Sequence, residues 1–126
     1  MPSKILVVDD EVDTVNLLEL TLTQVGYVVA KANSGRACLE AVAVEHPDLI
    51  ILDIMMPDLS GLDVLKTLQE TYGTYETPPV IFFSAKSRME DRIEGLEAGA
   101  FKYLIKPTPR AQLLETIRAA LAETQK

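Results

Sequence analysis

Five residues able to do chemistry stand directly behind short apolar runs. Asp9 and Asp10 follow "ILVV", Asp53 follows "LIIL", Ser84 follows "VIFF" and Lys106 follows "YLI". Three carboxylates, a hydroxyl and an amine, if brought together, can hold a cation and steady negative charge on oxygen. Two carboxylates about 4 Å apart repel by roughly 4 kcal/mol at an effective dielectric near 20, so a positive group must offset them or one must take up a proton. Lys106 supplies one positive charge, and the surplus of acid implies a hard divalent cation. Carboxylate oxygens with room left for water and phosphate suit Mg²⁺, with Mn²⁺ as the alternative, and no nearby set of His or Cys suggests zinc. Once neutralised, one carboxylate can attack phosphorus to give an aspartyl phosphate, with Ser84 and Lys106 holding the transferred oxygens.

That chemistry requires distant segments to meet. The apolar runs at 5–8, 27–32, 49–52, 80–83 and 103–105 are spaced too widely for hairpins. Four are almost continuous in Val, Ile, Leu and aromatics, as strands buried on both faces of a parallel sheet must be, whereas "YVVAKA" is mixed and suits an edge. Helical spacing lies between them, in Val15, Leu18, Leu22 and Val25, in Leu62, Leu65 and Leu68, in Met89, Ile93 and Leu96, and in Leu113, Ile117 and Leu121. Each set predicts one buried stripe. Gly26 ends the first helix, Ser34 and Gly35 open the second and Pro47 stops it; Ser60 caps the third, and Thr108 with Pro109 starts the last. The stretch from Thr71 to Pro79 is the one substantial loop expected. Strict βα alternation predicts one α/β domain over 1–126, a doubly wound, flavodoxin-like (βα)5 fold. Its five-stranded parallel sheet has the order 2-1-3-4-5, helices on both faces and right-handed crossovers. All five site residues then fall on the carboxyl edge, with Asp9, Asp10 and Asp53 beside the switch point between strands 1 and 3.

The totals exclude other classes. The length of 126 residues is that of one domain, and 48% hydrophobic with 25% charged residues is a globular composition with no apolar run able to span a bilayer. No membrane contact is expected. One cysteine and no signal-peptide pattern predict a cytoplasmic protein. The net charge of −7 argues against direct nucleic-acid binding. Charge is uneven: residues 1–85 hold 13 acids and 4 bases, and residues 86–126 hold 6 acids and 8 bases. A mildly basic C-terminal third is either a solvated surface or a docking face.

The chain resembles a response regulator receiver domain of two-component signalling, CheY-like, along essentially its whole length. The resemblance rests on "VVDDE", on "LIILDIMMPDLSGLDVL" with Pro57 and Gly61 after the aspartate, on "VIFFSA" and on "GLEAGAFKYLIKP". It implies that Asp53 accepts a phosphoryl group from a sensor histidine kinase or a histidine phosphotransfer protein. It further implies that Asp10 binds Mg²⁺ directly, Asp9 mainly through water and Met55 through its backbone carbonyl. A cis Lys106–Pro107 bond would aim the lysine. On phosphorylation Ser84 would bond a phosphoryl oxygen and Tyr103 would turn inward, changing the face of helix 4, strand 5 and helix 5. That face would control a downstream protein or output domain, or form a homodimer. No independent small-molecule substrate is implied, and the chain fits a stand-alone receiver or part of a longer regulator equally.

Other residues read as structural. Cys38 is a packing residue or a half-exposed thiol, His46 lies at a helix end far from the carboxyl edge, Asp58 and Asp63 belong to loop and helix surface and Glu11 to the pocket rim, none of the three acids with assigned chemistry. Phe101 and Lys102 stand where the family often has acids, and Thr108 where it often has an aromatic, so the output face departs from the pattern. Positions 55 and 86 often tune dephosphorylation; with Met55 and Lys86 there, a slowly decaying phosphoprotein is expected. One alternative is a pseudo-receiver that only binds partners. A more remote one is a Mg²⁺-dependent phosphatase of the haloacid dehalogenase type, which would need an acid where Met55 stands. Flavin binding has only the fold in its favour, without a phosphate loop.

Overall fold

In this computed structural model, which describes residues 2–124, strands and helices alternate without exception. They are β1 (Lys4–Val8), α1 (Val12–Gln24), β2 (Val28–Ala32), α2 (Gly35–Glu45), β3 (Leu49–Leu52), α3 (Gly61–Tyr72), β4 (Val80–Ser84), α4 (Met89–Glu97), β5 (Lys102–Ile105) and α5 (Arg110–Thr124). All pairings are parallel, in the order β2-β1-β3-β4-β5. The fold is the expected flavodoxin-like one. Met1, Gln125 and Lys126, the ends of the expected 1–126 unit, lie outside the described residues.

Period-two alternation splits the core between the two faces of the sheet. Leu6, Val8, Ile50, Leu52 and Phe82 face α2 and α3, together with Cys38, Val42, Val64, Leu65 and Leu68. Ile5, Val7, Leu49, Ile51, Ile81 and Phe83 face α1 and α5, with Val15, Leu18, Leu22, Leu113 and Ile117. Cys38 is fully buried, and burial pushes its thiol up to about 12, which leaves it a packing residue. Among the described residues no helix is long and apolar enough to cross a membrane.

Local signals hold at most boundaries. Ser34 Oγ accepts from the Ala37 N–H at 3.0 Å and Ser60 Oγ from the Asp63 N–H at 3.2 Å, so both serines cap as expected. Thr108 does not cap α5. Its hydroxyl donates back to the Ile105 carbonyl at 2.6 Å, across Lys106 and Pro107, and so ties the loop after β5 instead. Tyr27 precedes β2, Ser84 is the last residue of β4 rather than a residue beyond it, and Val25 lies past α1, 45% exposed. Thr71 and Tyr72 close α3, which shortens the expected loop.

The largest departure is in α4. Its expected stripe of Met89, Ile93 and Leu96 is 74%, 48% and 46% exposed, and the residue it buries is Gly95. At 3.6 residues per turn those three side chains lie about 100–160° around the helix from Gly95. The period was right and the phase wrong, because the face that meets the sheet carries no apolar side chain for a periodicity to detect.

Asp58 has a structural role that sequence reasoning missed. Its carboxylate accepts from the Gly35 and Arg36 N–H groups, both at 3.0 Å, tying the β3–α3 loop to the start of α2. The Arg36 and Gly35 amides hold it down to about 2. A folded pKa below the unfolded value means stability that is present above about pH 3.9 and lost on acidification through the folded pKa. Urea midpoints of the wild type and Asp58→Ala should therefore differ at neutral pH and converge between about pH 4 and about pH 2. A gap independent of pH would show that the carboxylate's charge is immaterial.

Candidate functional site

Backbone hydrogen bonds carry the parallel ladder one residue beyond the strands and thereby fix the site. The Asp9 N–H donates to the Ala32 carbonyl at 3.2 Å, the Asp53 N–H to Val8 at 3.0 Å and the Lys106 N–H to Ser84 at 2.9 Å. Asp9, Asp53 and Lys106 thus leave the sheet from hydrogen-bonded positions. Gly61 makes this possible on the α3 side, since a Cβ there would run into the Asp53 carbonyl. The start of α3 closes directly onto the Asp53 backbone, with the Gly61 N–H donating to the Ile54 carbonyl at 2.9 Å.

Asp9, Asp10 and Asp53 each offer an oxygen, and these oxygens all lie within 4.8 Å of one another. Asp9 and Asp53 are 2% and 5% exposed, whereas Asp10 is open to solvent. Lys106 Nζ bonds Asp9 Oδ2 at 2.6 Å, with Asp53 Oδ2 at 3.5 Å and Glu11 Oε1 at 3.7 Å. The Phe83 ring lies beneath that ammonium, 5.6 Å from ring centroid to Nζ. Asp9 Oδ1 also accepts from the Glu11 N–H at 2.9 Å, and Asp53 Oδ1 from the Met55 N–H at 3.3 Å. The Lys106–Pro107 bond is cis, as the resemblance implied.

The electrostatics match a site short of positive charge. Burial, and then the Asp9 charge, raise the Asp53 pKa above the usual carboxylate value, against opposition from Lys106, the Met55 amide and the Ser84 hydroxyl. Burial works against the Lys106 ammonium, but its bond to Asp9 and the charges of Asp53, Asp9 and Glu11 outweigh this and raise its pKa. Oxygen donors, an unbalanced negative charge and one solvent-facing acid are a donor set that fits a hard divalent cation.

Ser84 is fully buried; its Oγ accepts from the Lys86 N–H at 3.2 Å. The carbonyl of that same Lys86 accepts from Tyr103 Oη at 2.7 Å. Tyr103 is 5% exposed and lies inward against Phe82, with ring centroids 6.1 Å apart. Its ring therefore takes the inward position without any group on Asp53. The Lys86 ammonium turns to Asp91 at 3.9 Å, and the Met55 side chain is 54% exposed. Glu11 stands at the pocket rim beside Lys106, where it was expected, whereas sequence reasoning missed Phe83 as a neighbour of Lys106, since the aromatic reads as an ordinary strand residue.

A family profile described as response regulator receiver domain matches residues 5–118. The chain belongs to this family, the receiver domains of two-component response regulators. The response regulator MprA of Mycolicibacterium vanbaalenii is 40% identical over 124 residues, 98% of this chain and 52% of that protein. The alkaline phosphatase synthesis transcriptional regulatory protein PhoP of Bacillus subtilis is 38% identical over 125 residues, 99% of this chain and 51% of that one. A crystal structure of a CheY-like receiver domain protein from Methanospirillum hungatei JF-1 superposes with a TM-score of 0.90 at 27% identity, covering 99% of this chain and 98% of that one. The chain spans about half the length of the curated relatives it matches.

Because the folded pKa of Asp53 lies above its unfolded value, ionising it lowers stability as pH rises from about 3.9 through the folded pKa. In EDTA at neutral pH, Asp53→Asn should raise the thermal midpoint, and a divalent cation should narrow the gap by stabilising the wild type. A midpoint in EDTA that falls would contradict this electrostatic reading.

Proposed function

We propose that this receiver domain, acting as a single unit over residues 1–126, accepts a phosphoryl group on Asp53. The donor is a phosphohistidine of a sensor histidine kinase or a histidine phosphotransfer protein. The observation that carries this reading is the meeting of Asp9, Asp10 and Asp53, with oxygens within 4.8 Å, beneath the Lys106 ammonium. An Asp53 carboxylate oxygen attacks phosphorus, the Oδ–P bond forms, the P–N bond to the donor imidazole breaks, and the imidazole leaves with the electron pair. Asp10 would hold Mg²⁺, or Mn²⁺, directly, Asp9 mainly through water, with Asp53 and the Met55 carbonyl completing the set. The ion, when bound, supplies charge that neutralises the carboxylates and the transferred oxygens. Lys106 leaves Asp9 for a phosphoryl oxygen, and the Ser84 hydroxyl donates to another.

Ser84 and Tyr103 then report the phosphoryl group to the surface. Both meet the backbone of Lys86, through its N–H and its carbonyl, so displacement of Ser84 is felt at Tyr103. The output is the face of α4, β5 and α5, read by a downstream protein, an attached output domain or a second copy of the chain. The phosphoryl group need favour the active arrangement by only a few kcal/mol. The reaction is self-catalysed, with no separate small-molecule substrate, and the chain works in the cytoplasm.

With acetyl phosphate and Mg²⁺, one hydroxylamine-sensitive phosphate per chain is expected, lost in Asp53→Asn and formed roughly 10²-fold more slowly in Lys106→Ala. Catalytic turnover of many phosphate esters, or no label at all, would overturn the reading. Met55→Asn gives the attacking water a hydrogen-bonding partner that the thioether lacks, so the phosphoprotein should decay faster. An unchanged decay rate would remove Met55 as the cause of a long lifetime.

A further inference from the structure

Glycine is a poor residue for the interior of a helix, yet Gly95 is the residue α4 buries. A Cβ at this position would stand 2.8 Å from Tyr103 Cδ2, 3.1 Å from Phe82 Cδ2 and 3.3 Å from Tyr103 Cε2. The inward seat of Tyr103 therefore has three walls: the bare backbone of Gly95, the Phe82 ring and the Lys86 carbonyl that takes the Oη proton. Two of these walls are atoms every residue or a fixed strand aromatic provides. The third exists because position 95 lacks a side chain.

No apolar side chain within α4 is buried to oppose a shift, since Met89, Ile93 and Leu96 all face solvent. Helix and ring thus compete for one space, and the contact between Gly95 and Tyr103 sets both positions. We propose that Gly95 is the positioning residue that opens the inward seat of Tyr103, and that it sets how far the ring lies inward before any phosphoryl group arrives. Its consequence for phosphorylation rests on the reading of Ser84 and Tyr103 as the switch given above; the seat itself does not.

The test is fluorine NMR of the full chain labelled with 3-fluorotyrosine. The four tyrosines are Tyr27, Tyr72, Tyr75 and Tyr103, and Tyr103→Phe assigns the signal of interest. Gly95→Ala should move the Tyr103 signal towards that of the fully exposed Tyr75. It should also increase broadening of that signal by a soluble gadolinium chelate, while the other three signals stay in place. An unmoved, unbroadened Tyr103 signal overturns the proposal. A thermal-melt cycle covers the case of a poorly folded variant: Gly95→Ala should lower the midpoint more beside Tyr103 than in a Tyr103→Ala background, where only the Phe82 contact at 3.1 Å opposes the gain in helix propensity. Equal shifts in both backgrounds overturn the proposal. If the inward ring is coupled to Asp53, Gly95→Ala should also weaken beryllofluoride binding with Mg²⁺ about threefold or more. A moved signal with unchanged beryllofluoride affinity upholds Gly95 and defeats the Tyr103 switch instead.

Discussion

Like charges held close together at the end of a buried sheet are the constraint on which this molecule turns. Asp9 and Asp53 are both nearly sealed from water, Asp10 stands beside them, and among the described residues Lys106 is the ammonium that reaches them. Burial and the neighbouring charge both oppose ionisation of Asp53, so the arrangement is costly until more positive charge arrives. The fold supplies the rigidity that keeps the acids from moving apart. Asp9 and Asp53 leave the sheet from ladder hydrogen bonds, and α3 closes onto the Asp53 backbone through Gly61. A loop could relieve the repulsion by relaxing, but these strand ends are pinned. The carboxyl edge thus holds an unmet electrostatic need, which the proposed cation and phosphoryl group would relieve.

Much of this was legible in the sequence because each strand announces itself by a short apolar run and each functional residue stands at its end. Asp9, Asp10, Asp53, Ser84 and Lys106 came together as the strand order required, and the edge position of β2 followed from its mixed composition. Three features were not legible, each for a physical reason. The buried face of α4 is a glycine, which leaves no mark on a hydrophobic periodicity, so Met89, Ile93 and Leu96 were assigned the wrong side. Asp58 bridges to amides more than twenty positions away, and such a long-range cap has no local signature. Thr108 stands one residue ahead of the cap position of a helix that begins only at Arg110, and its hydroxyl donates to the Ile105 carbonyl.

The same three features surround the site, one on each connecting segment. Asp58 ties the loop after Asp53 to α2, Thr108 braces the turn that carries Lys106, and Gly95 with Tyr103 joins α4 to the strand beyond Ser84. A change at the carboxyl edge therefore has several mechanical outlets. The α4 route is the least restrained, because a helix that buries no apolar side chain can shift at little hydrophobic cost. That difference favours α4, β5 and α5 as the proposed output face.

The crowded acids are proposed to form one divalent-cation site. Electron paramagnetic resonance of Mn²⁺ titrated into the metal-free protein tests it most directly, because bound and free ion are counted separately. One ion per chain is predicted, displaced by excess Mg²⁺ and lost in Asp10→Asn. No bound ion, or equal binding in Asp10→Asn, would contradict the account.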